Sequence, residues 1–139
     1  MTEEELRIFK RYSHDLDYYR LELRLAKLLL QDDIVKRSIE RYGWDKIYIH
    51  GTDFLGHLTY DSLKRKIKVL GIVDNNVDNN SFPEIAMITD EVFFLKKEKN
   101  IPVVITELKD AKTIYKRLSE YLDIKYIYYL SELFEEKWV

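Results

Sequence analysis

The stretch that most constrains the fold is residues 45–56, DKIYIHGTDFLG, in which an apolar segment leads into a turn flanked by two glycines. Residues 54–66 then have the pattern of a helix with its apolar side chains on one side. The next segment, residues 67–73, is almost continuously apolar, as in a strand covered on both faces, and Asp74 follows it. A strand, a glycine turn, a helix and a second buried strand predict a βαβ unit with parallel strands.

Strand and helix patterns continue to alternate along the rest of the chain. Three further segments have the apolar pattern of short strands: 84–89, 101–106 and 124–130. Thr106 is expected to cap an amphipathic helix that extends to Leu122, and Thr89 or Asp90 is expected to cap a segment, 90–99, whose pattern fits either a helix or an extended chain. The sequence therefore predicts a three-layer α/β domain with a mainly parallel sheet of about five strands.

An N-terminal helical segment precedes this domain. Residues 2–5 fit a capping box, and the polar residues 13–15 predict a break in the first helix. Asp32 or Asp33 is expected to cap the following helix, which extends to about Tyr42 and has Gly43 as its C-terminal glycine. We therefore divide the chain into a helical segment, residues 1–43, packed on the domain or on a partner, and an α/β domain, residues 44–139. The polar run at 74–81 is predicted to be a loop at the carboxyl edge of the sheet.

Two apolar stripes lie on nearly opposite sides of the helix that follows residue 15. The first stripe consists of Leu16, Tyr19, Leu23, Ala26 and Leu30, and the second of Tyr18, Leu21, Leu25 and Leu28. A helix that only covers a sheet needs one such stripe. Two interpretations remain open: the helix is wedged between the sheet and another helix of its own chain, or one stripe forms a homodimer contact.

Charge and cysteine content limit the classes of function. Lys and Arg number 23 and Asp and Glu number 25, so no overall field favours nucleic acid or an anionic membrane as a partner. The chain has no Cys, which excludes disulfides, thiolate catalysis and Cys-ligated metals. No apolar run reaches the roughly 20 residues of a membrane span, and the acidic N-terminus is unlike a signal peptide. We therefore expect a cytoplasmic protein.

In an open parallel sheet, ligands bind at the carboxyl ends of the strands, where the strand order reverses. The residues predicted to lie at that edge are His50, Gly51, Thr52, Asp53, Phe54, Gly56, Asp74 and Asn75. Backbone N–H groups at the helix start near Phe54 are suited to phosphate oxygens, and Asp74 to a ribose or a base. His50 is a candidate general base because it ends a strand. No metal site is predicted, because His50, His57 and Asp53 fit no known ligand spacing.

Asp53 departs from the usual G-x-G-x-x-G pattern, because it stands where the middle glycine would be. That glycine lets a pyrophosphate approach the backbone closely. A carboxylate there adds bulk and a like charge, which at about 4 Å costs between about 1 and 4 kcal/mol. We therefore do not expect NAD or a flavin dinucleotide in the standard pose.

Residues 48–56 (YIHGTDFLG), Tyr60, residues 69–76 (VLGIVDNN) and residues 100–104 (NIPVV) resemble a Rossmann-like domain of bacterial glycan-biosynthesis proteins. This family is best known as the N-terminal domain of sugar O- and N-acyltransferases. The resemblance covers about residues 45–130. Asp53 and Asn100 depart from the family, which has a small residue and a glycine at these positions. No left-handed β-helix repeat follows, so the resemblance does not imply acyl transfer.

The resemblance implies roles for five of the edge residues. Gly51, Thr52 and Gly56 would form the phosphate turn, and Asp74 and Asn75 would contact the nucleotide part of a nucleotide-sugar. The first hypothesis is therefore a stand-alone domain that binds a nucleotide or nucleotide-sugar in glycan metabolism without a full catalytic apparatus of its own.

Two alternatives remain. One is a non-catalytic interaction or regulatory module with a degenerate phosphate site. The other is a small NAD-dependent epimerase- or reductase-like enzyme, which the Asp53 substitution and the lack of a suitably placed Tyr-x3-Lys pair disfavour. The sequence leaves open whether the chain is an enzyme and which ligand it binds.

Overall fold

The computed structural model describes residues 2–75, 82–96 and 100–137. The helices in these ranges are α1 (Glu3–Leu29), α2 (Asp32–Tyr42), α3 (Phe54–Leu63), α4 (Asp90–Leu95) and α5 (Ala111–Ser119). The strands are β1 (Lys46–His50), β2 (Lys68–Val73), β3 (Met87–Ile88), β4 (Val103–Ile105) and β5 (Ile127–Tyr129). Two 3-10 helices, Ile124–Tyr126 and Leu130–Lys137, flank β5. Most of the predicted polar loop, residues 76–81, lies outside the described residues.

All pairings in the sheet are parallel, and the strand order is β3-β2-β1-β4-β5. The predicted parallel sheet of about five strands is confirmed, including the βαβ unit formed by β1, α3 and β2. The chain moves outward from β1 to β2 and β3, then crosses back to β4 on the other side of β1. The order therefore reverses between β1 and β4, which is where an open α/β sheet has its binding crevice.

Hydrophobic cores cover both faces of the sheet, so the predicted three layers are confirmed. Ile47 and Ile49 of β1 point into one core, which α1, α2, α3 and the C-terminal 3-10 helix complete. Tyr48 points into the other core, where α4 and α5 pack. Side chains alternate along a strand, so His50 lies on the same face as Tyr48 and meets α4.

Three predicted helix ends are confirmed. The hydroxyl of Thr2 accepts a hydrogen bond from the backbone N–H of Glu5 at 3.1 Å. Gly43 ends α2 in the left-handed conformation, with φ of 69°. Thr89 caps α4 through Val92, so residues 90–95 are helical rather than extended. Residues 97–99 of that segment lie outside the described part of the chain.

The predicted break in the first helix is wrong, because α1 continues without interruption from Glu3 to Leu29. Ser and Asp disfavour a helix interior by only a few tenths of a kcal/mol each, which a long helix tolerates. The expected cap at Asp32 or Asp33 is also wrong. Gln31 is the N-cap residue of α2, and Asp32 instead forms an ion pair with Lys66 at 3.1 Å.

Two predictions near the C-terminus also fail. Thr106 does not cap α5, which begins only at Ala111 with Asp110 at the N-cap position. The side chain of Thr106 is instead fully buried and donates a hydrogen bond to the backbone carbonyl of His50. The last strand is shorter than residues 124–130, because a 3-10 turn occupies Ile124–Tyr126 before β5.

The two stripes of α1 have different environments. The second stripe faces the core: Leu25 is fully buried, and Leu21 and Leu28 pack against the same cluster. In the first stripe, Tyr19 is 59% exposed, Leu23 is 44% exposed and Leu30 is 70% exposed. The chain itself therefore covers one stripe and leaves much of the other in solvent. None of the described helices, including the 27-residue α1, has a stretch apolar enough to cross a membrane.

Candidate functional site

The predicted site residues lie at the carboxyl edge of β1 and β2. Thr52 follows β1 and donates a hydrogen bond from its hydroxyl to Oδ2 of Asp74, which follows β2, at 2.9 Å. Asn75 turns toward α4, where its Oδ1 accepts from the backbone N–H of Asp90 at 3.3 Å. Phe54, the first residue of α3, leaves 59% of its surface exposed. The structure therefore brings Thr52 and Asp74 together and directs Asn75 to the start of α4.

Both glycines of the turn are required by packing within the domain. Gly51 has φ of 130°, and a Cβ atom there would overlap the hydroxyl of Thr106. A Cβ atom at Gly56 would overlap the carbonyl oxygen of Gly51 and lie 2.9 Å from its carbonyl carbon. The turn, the start of α3 and the end of β4 are thus in direct contact. This contact explains the glycines without any ligand.

Asp53 caps α3 with its own carboxylate. Its Oδ1 accepts a hydrogen bond from the backbone N–H of Gly56 at 2.9 Å, and the hydroxyl of Thr106 donates to the same oxygen at 3.3 Å. Burial raises the pKa of Asp53, and the nearby charge of Asp74 raises it further. The backbone group that would hold a phosphate oxygen therefore already has an acceptor from the chain itself.

His50 lies between two carboxyl groups and is only 3% exposed. Its Nε2 is 3.0 Å from Oδ1 of Asp90, and its Nδ1 is 3.2 Å from Oε1 of Glu107. Asp90 also forms an ion pair through Oδ2 with Nε of Arg117 on α5. These four side chains form a continuous ionic network, Glu107–His50–Asp90–Arg117, which links β1 to the segments that follow β3 and β4.

The network keeps His50 protonated at neutral pH. Burial alone would lower the pKa of His50, but its hydrogen bonds with Asp90 and Glu107 outweigh burial and raise the pKa to about 9. Burial opposes ionisation of Asp90 as well, yet the hydrogen bond with His50 holds the pKa of Asp90 below its usual range. Burial raises the pKa of Glu107. An imidazolium with both nitrogens engaged has no lone pair to accept a proton, so this geometry does not favour His50 as a general base.

A crevice of about 320 Å³ opens between the turn after β1 and the segment after β4, where the strand order reverses. Its lining consists of Tyr18, Glu22, Asp53, Leu55, Glu107, Leu108, Lys109 and Asp110. Four of these residues are acidic and one is basic. Burial raises the pKa of both Asp53 and Glu107, which shows that a negative charge is disfavoured in this crevice. A further negative charge, such as a phosphate, is therefore disfavoured there as well.

A second cavity, of about 500 Å³, lies between α4 and α5 on the opposite face of the sheet. Phe94 and Tyr121 stack at its side, with ring centroids 3.7 Å apart. Asp90 and Arg117 line it as well, so one end of the ionic network borders this cavity.

No group of three or more His, Cys, Asp or Glu side chains in the described ranges is arranged to hold a metal ion. His57 lies apart from the network, where its ring stacks on Phe82 with centroids 4.0 Å apart. His50 and His57 therefore have separate environments, although both are close to the glycine turn in the sequence.

Sequence reasoning missed three members of the network. The sequence pattern predicts Asp90 only as a helix cap, and it predicts no site role for Glu107 or Arg117. A signal was present for two of them, because Asp90 and Glu107 each follow a predicted strand and so belong at the same edge as His50. Arg117 lies on α5, and no local pattern connects it with a residue 27 positions earlier in the chain.

Comparisons with protein families, with curated proteins and with solved structures find no match for this chain. The sheet order and the parallel pairings are consistent with a Rossmann-like fold. A fold of this kind carries many unrelated functions, so the function has to be argued from the residues at the edge of the sheet.

Proposed function

We propose that this chain is a non-catalytic interaction module built on a Rossmann-like fold, in which Asp53 holds the phosphate turn closed. The observation that carries the proposal is the 2.9 Å hydrogen bond from the backbone N–H of Gly56 to Oδ1 of Asp53. A helix start binds phosphate through free N–H groups and the positive end of its dipole. Here an internal carboxylate takes that N–H and supplies the negative charge.

The surroundings of the turn support the same function. A phosphate would have to enter beside Asp53, Asp74 and Glu107, and the like charges oppose it. The nearest titratable group suited to proton transfer, His50, is enclosed by Asp90 and Glu107. In this proposal the edge of the sheet stabilises the domain, and the exposed stripe of α1 is the working surface.

A second candidate is binding of a nucleotide or nucleotide-sugar, in line with the resemblance to glycan-biosynthesis domains. The observation that favours it is the hydrogen bond between Thr52 and Asp74 at the carboxyl ends of β1 and β2, next to Asp53, which lines the 320 Å³ crevice. Asp74 would accept hydrogen bonds from ribose hydroxyls, as an acid after the second strand does in dinucleotide-binding domains. The phosphates would then have to lie away from Asp53.

We expect the wild-type protein to show no thermal stabilisation by UDP-, GDP- or CDP-sugars, NAD or coenzyme A. Asp53→Gly removes the internal acceptor and the charge, so we expect this variant to gain binding of one nucleotide class. A ligand at a hundred times its dissociation constant stabilises a protein by about 2.7 kcal/mol, which raises the melting temperature by several degrees. Differential scanning fluorimetry followed by calorimetric titration measures both effects.

Asp53→Asn is the matched control, because asparagine can still cap α3 but carries no charge. If charge alone excludes phosphate, Asp53→Asn should bind nucleotide as Asp53→Gly does. If occupation of the Gly56 N–H excludes it, Asp53→Asn should show no thermal stabilisation by any nucleotide. Stabilisation of the wild type by one nucleotide class, lost in Asp74→Ala, would replace the proposal with the second candidate. If no nucleotide stabilises Asp53→Gly, the claim that Asp53 closes the turn is contradicted.

A further inference from the structure

The cavity of about 500 Å³ between α4 and α5, which we call the α4–α5 cavity, lies at the carboxyl edge of the sheet. Asn75, which follows β2, and Thr89, which follows β3, both line it. Its volume is within the range of roughly 300 to 1,000 Å³ that is typical of small-molecule sites. Ligands of open parallel sheets bind at the carboxyl ends of the strands. The α4–α5 cavity therefore has the size and the location of a ligand site.

A guanidinium group is held in this cavity by the interior of the domain. Arg117 forms an ion pair through Nε with Oδ2 of Asp90, whose side chain is only 6% exposed. Oδ1 of Asp90 contacts His50 at 3.0 Å, so the charge of Asp90 is shared between two cations. The side chain of Arg117 remains 37% exposed, and within the described residues its two Nη groups have no acceptor. A guanidinium held in this way is suited to a ligand carboxylate, which it binds through two parallel hydrogen bonds.

Two carboxylates line the same cavity, one from each helix. Glu91 lies in the first turn of α4, and Glu120 is the C-cap residue of α5. Glu120 follows Arg117 by three positions, a spacing that places two side chains next to each other on a helix. In the part of the chain that the structure describes, neither glutamate forms an ion pair, because Arg117 pairs with Asp90 instead. The negative end of the α5 dipole adds to the attraction of Glu120 for a cation.

An aromatic pair forms the apolar side of the cavity. Phe94 of α4 and Tyr121, which follows α5, are stacked with ring centroids 3.7 Å apart and an angle of 14° between the ring planes. Tyr121 is 52% exposed, so much of its surface is still accessible. Aromatic rings pack favourably on one another in offset or edge-to-face arrangements. A ligand with an aromatic ring would therefore extend this pair.

We propose that the α4–α5 cavity binds a free α-amino acid with an aromatic side chain. Such a ligand carries its carboxylate and its ammonium group on one carbon atom, which matches the neighbouring positions of Arg117 and Glu120. A simple anion would face the two glutamates, and a simple cation would face the guanidinium, so a like charge opposes each of them. The ring of the ligand would pack against Phe94 and Tyr121. No residue of the glycine turn takes part, so the proposal stands or fails separately from the closed phosphate turn.

Isothermal titration calorimetry of the wild type with L-phenylalanine, L-tyrosine and L-tryptophan tests the site. We expect at least one of them to bind at one site per chain. The matched ligands are the decarboxylated amine and the deaminated acid of each, which for phenylalanine are phenethylamine and hydrocinnamate. Each should bind at least about tenfold more weakly than the parent amino acid, because one charged hydrogen-bonded group is lost. Absence of binding by all three amino acids overturns the proposal, and an analogue that binds as tightly as its parent contradicts a zwitterion site.

Glu120→Gln tests the contact with the ammonium group. We expect this variant to bind the amino acid and the amine at least about tenfold more weakly, but to bind the deaminated acid no more weakly, since a like charge has been removed. Lys116→Gln is the matched control, because Lys116 is an exposed residue of α5 that does not line the cavity, and it should bind as the wild type does. Equal losses for all three ligands in Glu120→Gln would contradict a contact with the ammonium group.

Arg117→Gln is the converse test. It should weaken binding of the amino acid and of the deaminated acid at least about tenfold and leave binding of the amine no weaker. Because this change also removes a partner of Asp90, circular dichroism should first establish that the variant folds. Where it does not fold, Glu120→Gln and the ligand analogues still decide the question. A folded Arg117→Gln variant that binds the amino acid as the wild type does refutes the role of the guanidinium.

Discussion

Alanine at position 56 is expected to destabilise the folded domain by about 3 kcal/mol, although alanine is the better helix former. Gly56 lies in the first turn of α3, and helix propensity alone would predict a gain of up to about 1 kcal/mol. The added Cβ atom would overlap the carbonyl oxygen of Gly51, a backbone atom that cannot rotate away. The turn and α3 must then separate, which disturbs the cap formed by Asp53. Urea denaturation followed by circular dichroism measures the change.

Gly43→Ala is the control for this prediction. Gly43 adopts φ of 69°, so alanine there is strained by about 1 kcal/mol, but nothing lies within 4 Å of the added atom. Both variants should be compared at one protein concentration. A Gly56→Ala variant as stable as the wild type, or more stable, would refute close packing of the turn against α3.

Raising the pH from 7 to 10 is expected to remove about 2.5 kcal/mol of stability through His50 alone. The pKa of this residue is raised from 6.5 to about 9 in the folded protein, against the effect of burial, by Asp90 and Glu107. A group whose pKa is raised on folding stabilises the protein fully below its unfolded pKa. That contribution is then lost as the pH rises through the folded pKa. Stability should therefore fall between about pH 6.5 and about pH 9.

His50→Gln separates this effect from other alkaline titrations. At pH 7 the variant should be about 3 kcal/mol less stable than the wild type, because it leaves the half-buried Glu107 without its cation and the buried Asp90 with Arg117 alone. The difference should shrink as the pH passes about 9, since the wild type then loses the same charge. Urea unfolding at several pH values gives both curves. If the unfolding free energies of the wild type and of His50→Gln differ by the same amount at every pH between 7 and 10, His50 is not the titrating group.

The βαβ unit could be predicted because its signals are local. The apolar segments 46–50 and 67–73, the glycines between them and the acid at position 74 all lie within 30 residues. The spacing of apolar residues and the turn-forming residues are local properties of the chain, so they predict such a unit without knowledge of any tertiary contact. The caps at Gly43 and Thr89 follow from the same local rules. Parallel strands then placed Thr52 and Asp74 at one edge.

The errors arose where a tertiary contact competes with a local preference. Thr106 follows a strand and precedes a helical pattern, which made it resemble a cap. In the structure its hydroxyl reaches His50 and Asp53 instead, and the helix starts five residues later. That the charge of Asp53 opposes phosphate stays a prediction. Its role as the cap of α3 was not predicted, because it depends on how the turn closes, which the spacing of the glycines does not reveal.

The sequence by itself determined the fold class and the edge at which the polar residues collect, because periodicity and turn residues act over a few positions of the chain. Only the tertiary structure decided that Asp90 and Glu107 enclose His50, since these groups lie 40 and 57 positions away from it. It also decided which stripe of α1 is buried. Both stripes are apolar, and the packing of Leu25 into the core that α1 shares with α2 and α3 leaves Leu23 on the solvent side.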